Sequence, residues 1–360
     1  MSQSENIRPE LVQKLKSQSN KEVAKLCSEA ENIRKKFVGD KVYLRGIIEF
    51  SNLCEKDCFY CGIRRSNRNV ERFRMSEKEI LDCAKWAFKN GYGSVVLQSG
   101  EIANKEFVDF LVKLVEQIKK ETKTADAKKK GLGITLCVGE QKKNVYQELF
   151  DAGAHRYLLR IETSNPKLYE KIHPKECSFE NRVKCLENLK EIGYQVGTGV
   201  MIGIPGQSVE DLADDILFFK KIDADMFGMG PYIIHENTPM RKYAKKWNAG
   251  KNGQLRLALN MVAATRIFLK DVNIAATTAF DALSPLGRDL ALKHGANIMM
   301  PVITPKKYRG KYLLYEGKPC IDEDAIKCKD CHIRRVKRIG REIGFGKWGD
   351  SLHYFKRVGI

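Results

Sequence analysis

The sequence predicts an α/β protein built on a closed (β/α)8 barrel of the TIM type, with N-terminal helices and an irregular C-terminal extension. Short apolar runs rich in β-branched residues alternate with longer helical patterns about eight times, which predicts parallel strands joined by right-handed crossovers. A length of 360 residues suffices for one such barrel. No change in composition marks a second globular unit, so we expect one barrel with two additions.

We divide the chain into a helical lead (1–41), a barrel (42–300) and a C-terminal extension (301–360). Between about residues 9 and 37, apolar residues recur at helical spacing without an evident capping residue. Beyond Pro301 the pattern becomes irregular and basic, and we expect this segment to wrap around the barrel.

The predicted strands are short apolar runs bounded by polar residues or glycine. They cover residues 42–50, 94–98, 133–138, 156–161, 195–202, 225–229, 273–276 and 296–300. Helical patterns between them cover residues 77–90, 107–118, 179–192, 209–221 and 254–269. In such barrels the carboxyl ends of the strands meet at one face, where ligands bind.

Composition narrows the function classes. The formal net charge of +19 raises the question of nucleic-acid binding, but the lysines are spread along helical faces, and the densest run (119–130) is interpreted as one exposed loop. Eleven cysteines without a secretory pattern indicate a reducing compartment. We therefore expect a cytoplasmic protein (organellar in a eukaryotic host) that binds neither nucleic acid nor membrane and works without oxygen.

Three cysteines follow the first predicted strand in a single loop, as Cys54-x3-Cys58-x2-Cys61. A four-iron cluster normally takes four thiolates, so three from one loop leave one iron open to another ligand. This spacing is typical of radical S-adenosylmethionine (SAM) enzymes, in which SAM binds the open iron through its amino and carboxylate groups. The alternative, a structural zinc site, normally needs partner ligands further along the chain at matching spacing.

Polar residues recur where successive predicted strands end. Each alone is compatible with a surface ion pair, but together they predict one polar cavity. They are Gln98, Ser99, Glu101, Thr135, Cys137, Glu140, Arg160, Glu162 and the glycine-rich segment 197–207. Glycines there allow the backbone to approach a ligand closely.

Three further assignments concern SAM itself. Glu162 is the candidate partner for its ammonium group, and Arg182 is the candidate partner for its carboxylate. Tyr60 either contacts the adenine or only packs within the loop.

A second cysteine triplet, Cys320-x7-Cys328-x2-Cys331, lies in the C-terminal extension. It is compatible with a further iron–sulfur cluster, with zinc and His332 as an added ligand, or with no metal. The remaining cysteines are interpreted as small apolar residues, and these are Cys27, Cys83, Cys177 and Cys185.

With these motifs in place, the chain resembles the HydE family, the radical SAM maturases of [FeFe]-hydrogenase. The resemblance runs from about Val42 to the C-terminus. It is carried by residues 47–52, 61–65, 97–101, 156–160, 162–163, 178–182, 203–207, 276–279 and 295–301.

The resemblance implies a catalytic [4Fe-4S] cluster on Cys54, Cys58 and Cys61, with SAM above it. It implies a SAM pocket made of Gln98, Ser99, Thr135, Glu162, Arg182, Met201, Ile233 and Tyr312. Deeper groups implied for the substrate are Arg156, Arg160, Thr277, Thr278, Met300 and Tyr315. It also implies a dispensable second iron–sulfur cluster, [2Fe-2S] or [4Fe-4S], on Cys320, Cys328 and Cys331.

The implied substrate is a small organometallic compound, a cysteine-bound iron carrying CO and cyanide. The implied partners are the other hydrogenase maturases and a reductant such as ferredoxin or flavodoxin. The chain departs from the family pattern at Cys137, where serine is expected, at Ile102-Ala103, and in the inserted lysine-rich loop near Thr124.

Two other functions stay open on the sequence. A biotin-synthase-like or methylornithine-synthase-like enzyme would use the same barrel with a different cavity. A non-catalytic iron–sulfur or RNA-binding protein would use the positive charge and would not cleave SAM.

Overall fold

The computed structural model describes residues 7–123, 131–245 and 250–359. Its strands in chain order are β1 (Lys41–Ser51), β2 (Ser94–Ser99), β3 (Gly133–Cys137), β4 (Arg156–Leu158), β5 (Gln195–Thr198), β6 (Met201–Ile202), β7 (Met226–Phe227), β8 (Gly230–Pro231), β9 (Asn273–Ala276), β10 (Ile298–Met299) and β11 (Glu342–Ile343).

The main sheet closes on itself, which confirms the predicted barrel. Within the described residues, β1, β2, β3, β4, β5, β7, β9 and β10 pair in that order, every pair parallel, and β10 pairs back with β1. Strands β6 and β8 pair with each other, and β11 adds to the first residues of β1.

Helices cover the outside of the barrel. Most connect successive strands, as right-handed crossovers require. They are Ile7–Leu15, Asn20–Phe37, Glu77–Lys89, Lys105–Glu121, Lys143–Asp151, Pro166–Ile172, Phe179–Ile192, Val209–Lys221, Lys251–Leu269, Ala279–Leu283, Gly287–Lys293, Lys306–Arg309, Ala325–Arg338 and Leu352–Val358, with a 3₁₀ turn at Pro239–Tyr243. Apolar strand residues such as Ile48, Val95, Leu97, Ile134 and Leu136 form the core beneath them.

The N-terminal lead contains two helices, and the second has a clear cap that was not predicted. Ser19 accepts a hydrogen bond from the Glu22 amide, and the Glu22 side chain accepts one from the Ser19 amide. This capping box ends the preceding loop and starts a new helix. The N-terminal helices were therefore predicted, but the expectation that they lack a cap was wrong.

The C-terminal extension is more regular than predicted. It contains the helix Ala325–Arg338, which carries Cys328 and Cys331, and the short strand β11. More than half of the extension is irregular, as predicted, but this helix was not predicted because it is so basic that its apolar face is narrow. Most of the predicted lysine-rich loop (124–130) lies outside the described residues.

The amino-terminal end of the barrel is closed by residues 348–351 of the extension. The Arg45 and Asn273 side chains donate to the Gly349 carbonyl, each at 2.9 Å. Asp350 accepts from Arg156 and Gln195. This floor leaves the carboxyl ends of the strands as the open end. No helix in the described ranges is both long enough and apolar enough to cross a membrane.

Candidate active site

The cysteine loop follows β1 directly and lies at the open end of the barrel. Two glycines allow neighbouring backbone segments to pack closely against this loop. A Cβ at Gly62 would come within 2.1 Å of the Leu313 carbonyl oxygen, and one at Gly100 within 2.1 Å of the Leu53 carbonyl oxygen. Since real Cβ atoms do not approach so closely, only glycine fits at either position.

Two polar side chains fix the path of the loop. Arg72 donates to the carbonyls of Asn52 (2.7 Å) and Ile63 (2.8 Å), on either side of the three cysteines. The Asn52 amide donates to the Lys311 carbonyl at 2.6 Å, which ties the loop to the C-terminal extension. These contacts hold the loop in place, as a preorganised metal site requires.

The three thiols lie at the wall of one cavity. Burial raises the pKa of Cys61 to about 12 and also raises the pKa of Cys54. A hydrogen bond with Cys177, together with burial, raises the pKa of Cys58. All three thiols are therefore protonated at neutral pH without metal, and binding iron must displace their protons.

Cys177 was interpreted as an ordinary apolar residue, and it is buried, but its thiol contacts Cys58. Its position just before the helix Phe179–Ile192 brings it to the cysteine loop. No spacing in the sequence indicated this contact, since Cys177 lies more than a hundred residues from Cys58.

A cavity of about 310 Å³ lies at the carboxyl ends of the strands, beside the three thiols. This volume falls at the low end of the range of small-molecule sites. The cavity is lined by fourteen of the sixteen residues predicted to bind SAM or substrate. They are Tyr60, Gln98, Ser99, Cys137, Arg160, Glu162, Arg182, Met201, Ile233, Thr277, Thr278, Met300, Tyr312 and Tyr315.

Glu162 occupies a strained backbone position. Its φ of 64° is unusual for a residue with a side chain. The backbone is held there because the Glu162 amide donates to Gly199 and its carbonyl accepts from Met201, each at 3.0 Å. One oxygen of its carboxylate pairs with Arg160 at 2.9 Å, beside the cavity.

Arg182 is buried and charged. Its guanidinium pairs with Glu140 at 2.5 Å and donates to the Arg160 carbonyl at 2.7 Å. Burial opposes its charge, but the Tyr169 hydroxyl and the Glu140 and Glu101 carboxylates raise the pKa of Arg182 well above its usual value. A second cation, Lys56, pairs with Glu101 and Glu140, so charges alternate along this wall.

Hydroxyl groups line another wall of the cavity. The Tyr315 and Thr278 hydroxyls are 2.7 Å apart, and the Thr277 hydroxyl donates to the Met229 carbonyl at 2.9 Å. The Tyr312 hydroxyl accepts from Gln98 at 3.3 Å. These oxygen atoms provide neutral acceptors and donors close to the charged wall.

An ion pair in the cavity wall was missed in the sequence. Lys318 donates to Glu49 at 2.5 Å and to the Tyr312 carbonyl at 2.8 Å, and both side chains are about 5% exposed or less. The second oxygen of Glu49 has no hydrogen-bond partner among the described residues. The only available signal was a carboxylate in the apolar second half of strand β1, and strand periodicity alone does not assign a role to it.

Two predicted site residues do not line the cavity. Arg156 is the first residue of β4, at the closed end of the barrel, where its guanidinium pairs with Asp350. Thr135 lies in the middle of β3, two residues before Cys137, and is buried. Arg156 and Arg160 are only four residues apart in sequence, but they lie toward opposite ends of the barrel.

Two of the three tail cysteines, Cys320 and Cys328, lie together, apart from the cavity. Cys328 is buried on the helix Ala325–Arg338, and the Sγ atoms of Cys320 and Cys328 lie within 4.8 Å of each other. Both ring nitrogens of His332 already have partners. Its Nδ1 bonds the Cys328 carbonyl (2.6 Å) and lies 3.8 Å from the Cys328 Sγ, and its Nε2 bonds Arg288 (2.7 Å).

Known proteins resemble this chain in sequence. Residues 48–219 match the model of the radical SAM superfamily. The chain is 45% identical to the [FeFe] hydrogenase maturase subunit HydE of Thermotoga maritima, over 91% of this chain and 89% of that protein. The chain belongs to the HydE family of radical SAM enzymes.

Members of related families are more distant from this HydE-family chain. Biotin synthase of Staphylococcus aureus (strain JH9) is 30% identical over 90% of each protein. The crystal structure of methylornithine synthase (PylB) superimposes with a TM-score of 0.77 over 94% of each chain, at 24% identity. This second likeness supports the fold alone.

The residues present fit the cluster and SAM that the superfamily implies. Three thiols from one tethered loop leave a fourth corner of a cubane without a protein ligand. Beside them, the cavity offers the Glu162 carboxylate and the buried Arg182 guanidinium, which suit the ammonium and carboxylate of an amino acid.

Proposed function

We propose that this HydE-family enzyme cleaves SAM reductively at a [4Fe-4S] cluster held by Cys54, Cys58 and Cys61, and acts in assembly of the diiron site of [FeFe]-hydrogenase. The observation that carries the maturase role is the 45% identity to HydE over nearly the whole chain, against 30% to biotin synthase. The proposed substrate is a cysteine-bound iron carrying CO and cyanide.

The contacts in the cavity support separate roles for its residues. When bound, the cluster supplies one electron to the sulfonium of SAM, whose homolysis gives methionine and a 5′-deoxyadenosyl radical. Glu162 would hold the ammonium of SAM, and Arg182 its carboxylate. Gln98, Ser99, Met201, Ile233 and Tyr312 would surround the rest of SAM and exclude water.

An anionic substrate would bind through cations and hydroxyls. Arg160 faces the cavity with about 29% of its side chain exposed, and Thr278 and Tyr315 offer hydroxyls beside it. Thr277 and Met300 complete this group. We leave Arg156 out of the substrate site because Asp350 already neutralises it at the other end of the barrel.

We further propose an accessory iron–sulfur or other metal centre at the tail cysteines. The partners would be the other maturases and a ferredoxin or flavodoxin as electron donor. The cytoplasm, which keeps thiols reduced, suits a chain with eleven cysteines.

The first test separates the two cysteine groups. Protein reconstituted anaerobically with iron and sulfide, then reduced with dithionite, should form 5′-deoxyadenosine from SAM. Cys61→Ser should abolish this product, whereas Cys328→Ser should leave most of it. Equal loss in both variants would contradict the division into catalytic and accessory centres.

A second test addresses the substrate. The reconstituted enzyme would be given SAM with a synthetic cysteine-bound iron carbonyl cyanide complex, with dethiobiotin, or with lysine. We expect 5′-deoxyadenosine formation to rise with the iron complex alone. A rise with dethiobiotin or lysine instead would replace the maturase proposal with one of the related synthases.

A further inference from the structure

The accessory site contains a donor that the cysteine pattern does not include. The Sγ atoms of Cys320 and Cys328 and a carboxylate oxygen of Glu323 all lie within 4.8 Å of one another. These three residues are the compact set of metal-type donors found among the described residues. Cys331 lies outside that set, and its thiol is hydrogen-bonded to Arg335.

The spacing of the three donors suits one shared metal ion. Bonds of about 2.3 Å at tetrahedral angles place two thiolates of one ion about 3.8 Å apart. Donors within 4.8 Å therefore need only small shifts to share an ion. Cys331, three residues after Cys328 on the same helix, is near enough to supply a further thiolate.

The Glu323 carboxylate is the donor that the cysteine pattern does not include. Its Oε2 atom is buried and has no hydrogen-bond partner among the described residues. An unsatisfied buried carboxylate oxygen is costly. A bound cation would remove that cost.

The surroundings also hold the donors in place. Cys320 has a φ of 65°, a strained conformation for a residue with a side chain. The buried Arg309 fixes it by donating to the Cys320 carbonyl at 2.9 Å, and Arg288 donates to the Cys320 Sγ at 3.7 Å. The positive charge of Arg288 offsets part of the negative charge of two thiolates and a carboxylate.

We propose that the Glu323 carboxylate is a ligand of the accessory metal centre, together with the thiolates of Cys320 and Cys328, and that the centre takes iron or zinc. Thiolate with carboxylate is a donor set that both ions accept. This inference rests on the accessory centre proposed above and is independent of SAM cleavage.

The test uses the full-length chain with Cys54, Cys58 and Cys61 changed to serine, so that bound metal reports only the accessory centre. This parent is loaded anaerobically with zinc in one arm and with ferrous iron and sulfide in the other, and metal retention is measured against a graded chelator. Glu323→Gln should lower the affinity by at least about tenfold. The matched control is Asp322→Asn, the neighbouring carboxylate, which is 91% exposed and should leave the affinity unchanged.

Glu323→Cys separates ligation from a structural role. As a ligand substitution, it should retain the metal and change the charge-transfer absorption in the iron arm, because a thiolate replaces a carboxylate. Circular dichroism checks that each variant is folded. Unchanged affinity in Glu323→Gln, or an unchanged iron spectrum in Glu323→Cys, would overturn the proposal.

Two further results address the accessory centre itself. If the parent retains no metal in either arm, both the accessory centre and the role of Glu323 fall. If Cys328→Ser abolishes retention but Glu323→Gln does not, the centre stands and the role of Glu323 falls. Neither result affects the test based on 5′-deoxyadenosine, because that product is measured on enzyme that keeps Cys54, Cys58 and Cys61 and is compared with Cys61→Ser.

Discussion

At the scale of single residues, the site depends on conformations that residue types alone do not reveal. Glu162 was predicted as a SAM ligand from its place after a strand. Its left-handed backbone conformation was not predicted. A residue with a side chain pays about 1–2 kcal/mol for that conformation. Hydrogen bonds to Gly199 and Met201 hold it. Such strain concentrates at functional positions, which agrees with the role proposed for this carboxylate.

The first prediction concerns that carboxylate. Glu162→Gln should weaken SAM binding by roughly tenfold to a hundredfold, because a hydrogen bond to a charged group contributes about 1.5–3 kcal/mol. Anaerobic titration calorimetry on the reconstituted enzyme measures it. Glu187→Gln, an exposed carboxylate on the helix Phe179–Ile192, is the control. Equal affinity in Glu162→Gln and wild type would remove this residue from the pocket.

At the scale of elements, hydrophobic periodicity predicts some element bounds, and pairing with distant strands determines others. The bounds of Phe179–Ile192 and Val209–Lys221 were predicted to the residue because apolar spacing and Ser caps coincide there. The predicted strand at 195–202 instead divides into β5 and β6, because the chain leaves the barrel sheet after Thr198 and pairs with β8. That break follows from partner strands distant in sequence.

The cysteine loop and the segment 312–315 act as one element, which leads to the second prediction. Gly62→Ala should lower the iron content after reconstitution, because its Cβ would clash with the Leu313 carbonyl and His235 and push the loop away. Gly253→Ala adds the same methyl where no atom lies within 4 Å and should keep full iron content. Equal iron content in both variants would show that the loop tolerates displacement.

The floor of the barrel gives the third prediction. Burial alone would raise the pKa of Asp350, but the hydrogen bond from His155 and the charge of Arg156 hold it far below its usual value. Asp350→Asn would leave Arg156 buried without its counter-charge. The free energy of unfolding at pH 7 should therefore fall by about 3 kcal/mol, as measured by denaturant unfolding beside the exposed control Asp109→Asn.

The pH dependence of this effect has a definite sign. Because the pKa of Asp350 is lower in the folded than in the unfolded chain, its contribution is fully present above about pH 5 and is lost as pH falls. The difference in unfolding free energy between wild type and Asp350→Asn should therefore shrink below about pH 4. A difference independent of pH between 7 and 3.5 would argue against an ionised Asp350.

At the scale of the whole molecule, the residue pattern predicted the barrel. In the extension, Tyr312 and Tyr315 were expected only from the family resemblance, and the contacts of Lys318 and Asp350 were not predicted. Strand–helix alternation and strand-end residues located the open end and most of the cavity wall. The extension contributes to both ends: Tyr312, Tyr315 and Lys318 line the cavity, and Asp350 closes the floor. The Asp350 contact with Arg156 joins residues 194 positions apart, and the Lys318 contact with Glu49 joins residues 269 positions apart. No local pattern encodes such contacts. Arg156 was misplaced for the same reason, since its partner lies in the extension.

The ion pair between Lys318 and Glu49 joins the extension to β1 inside the cavity and leads to the last prediction. Lys318→Met should lower the unfolding free energy by about 3–5 kcal/mol, because it leaves Glu49 charged and buried without a partner. Adding Glu49→Gln should recover much of that loss, since a neutral amide is easier to bury. A double-mutant cycle in denaturant measures this coupling.

The double variant then separates stability from function. It lacks the Lys318 cation beside Tyr312 and Tyr315, so turnover of an anionic substrate should fall even though the protein is folded. If both stability and turnover returned to wild-type values in the double variant, the ion pair would only join the extension to the barrel. Stable protein with reduced turnover would instead place the extension among the elements that recognise the substrate.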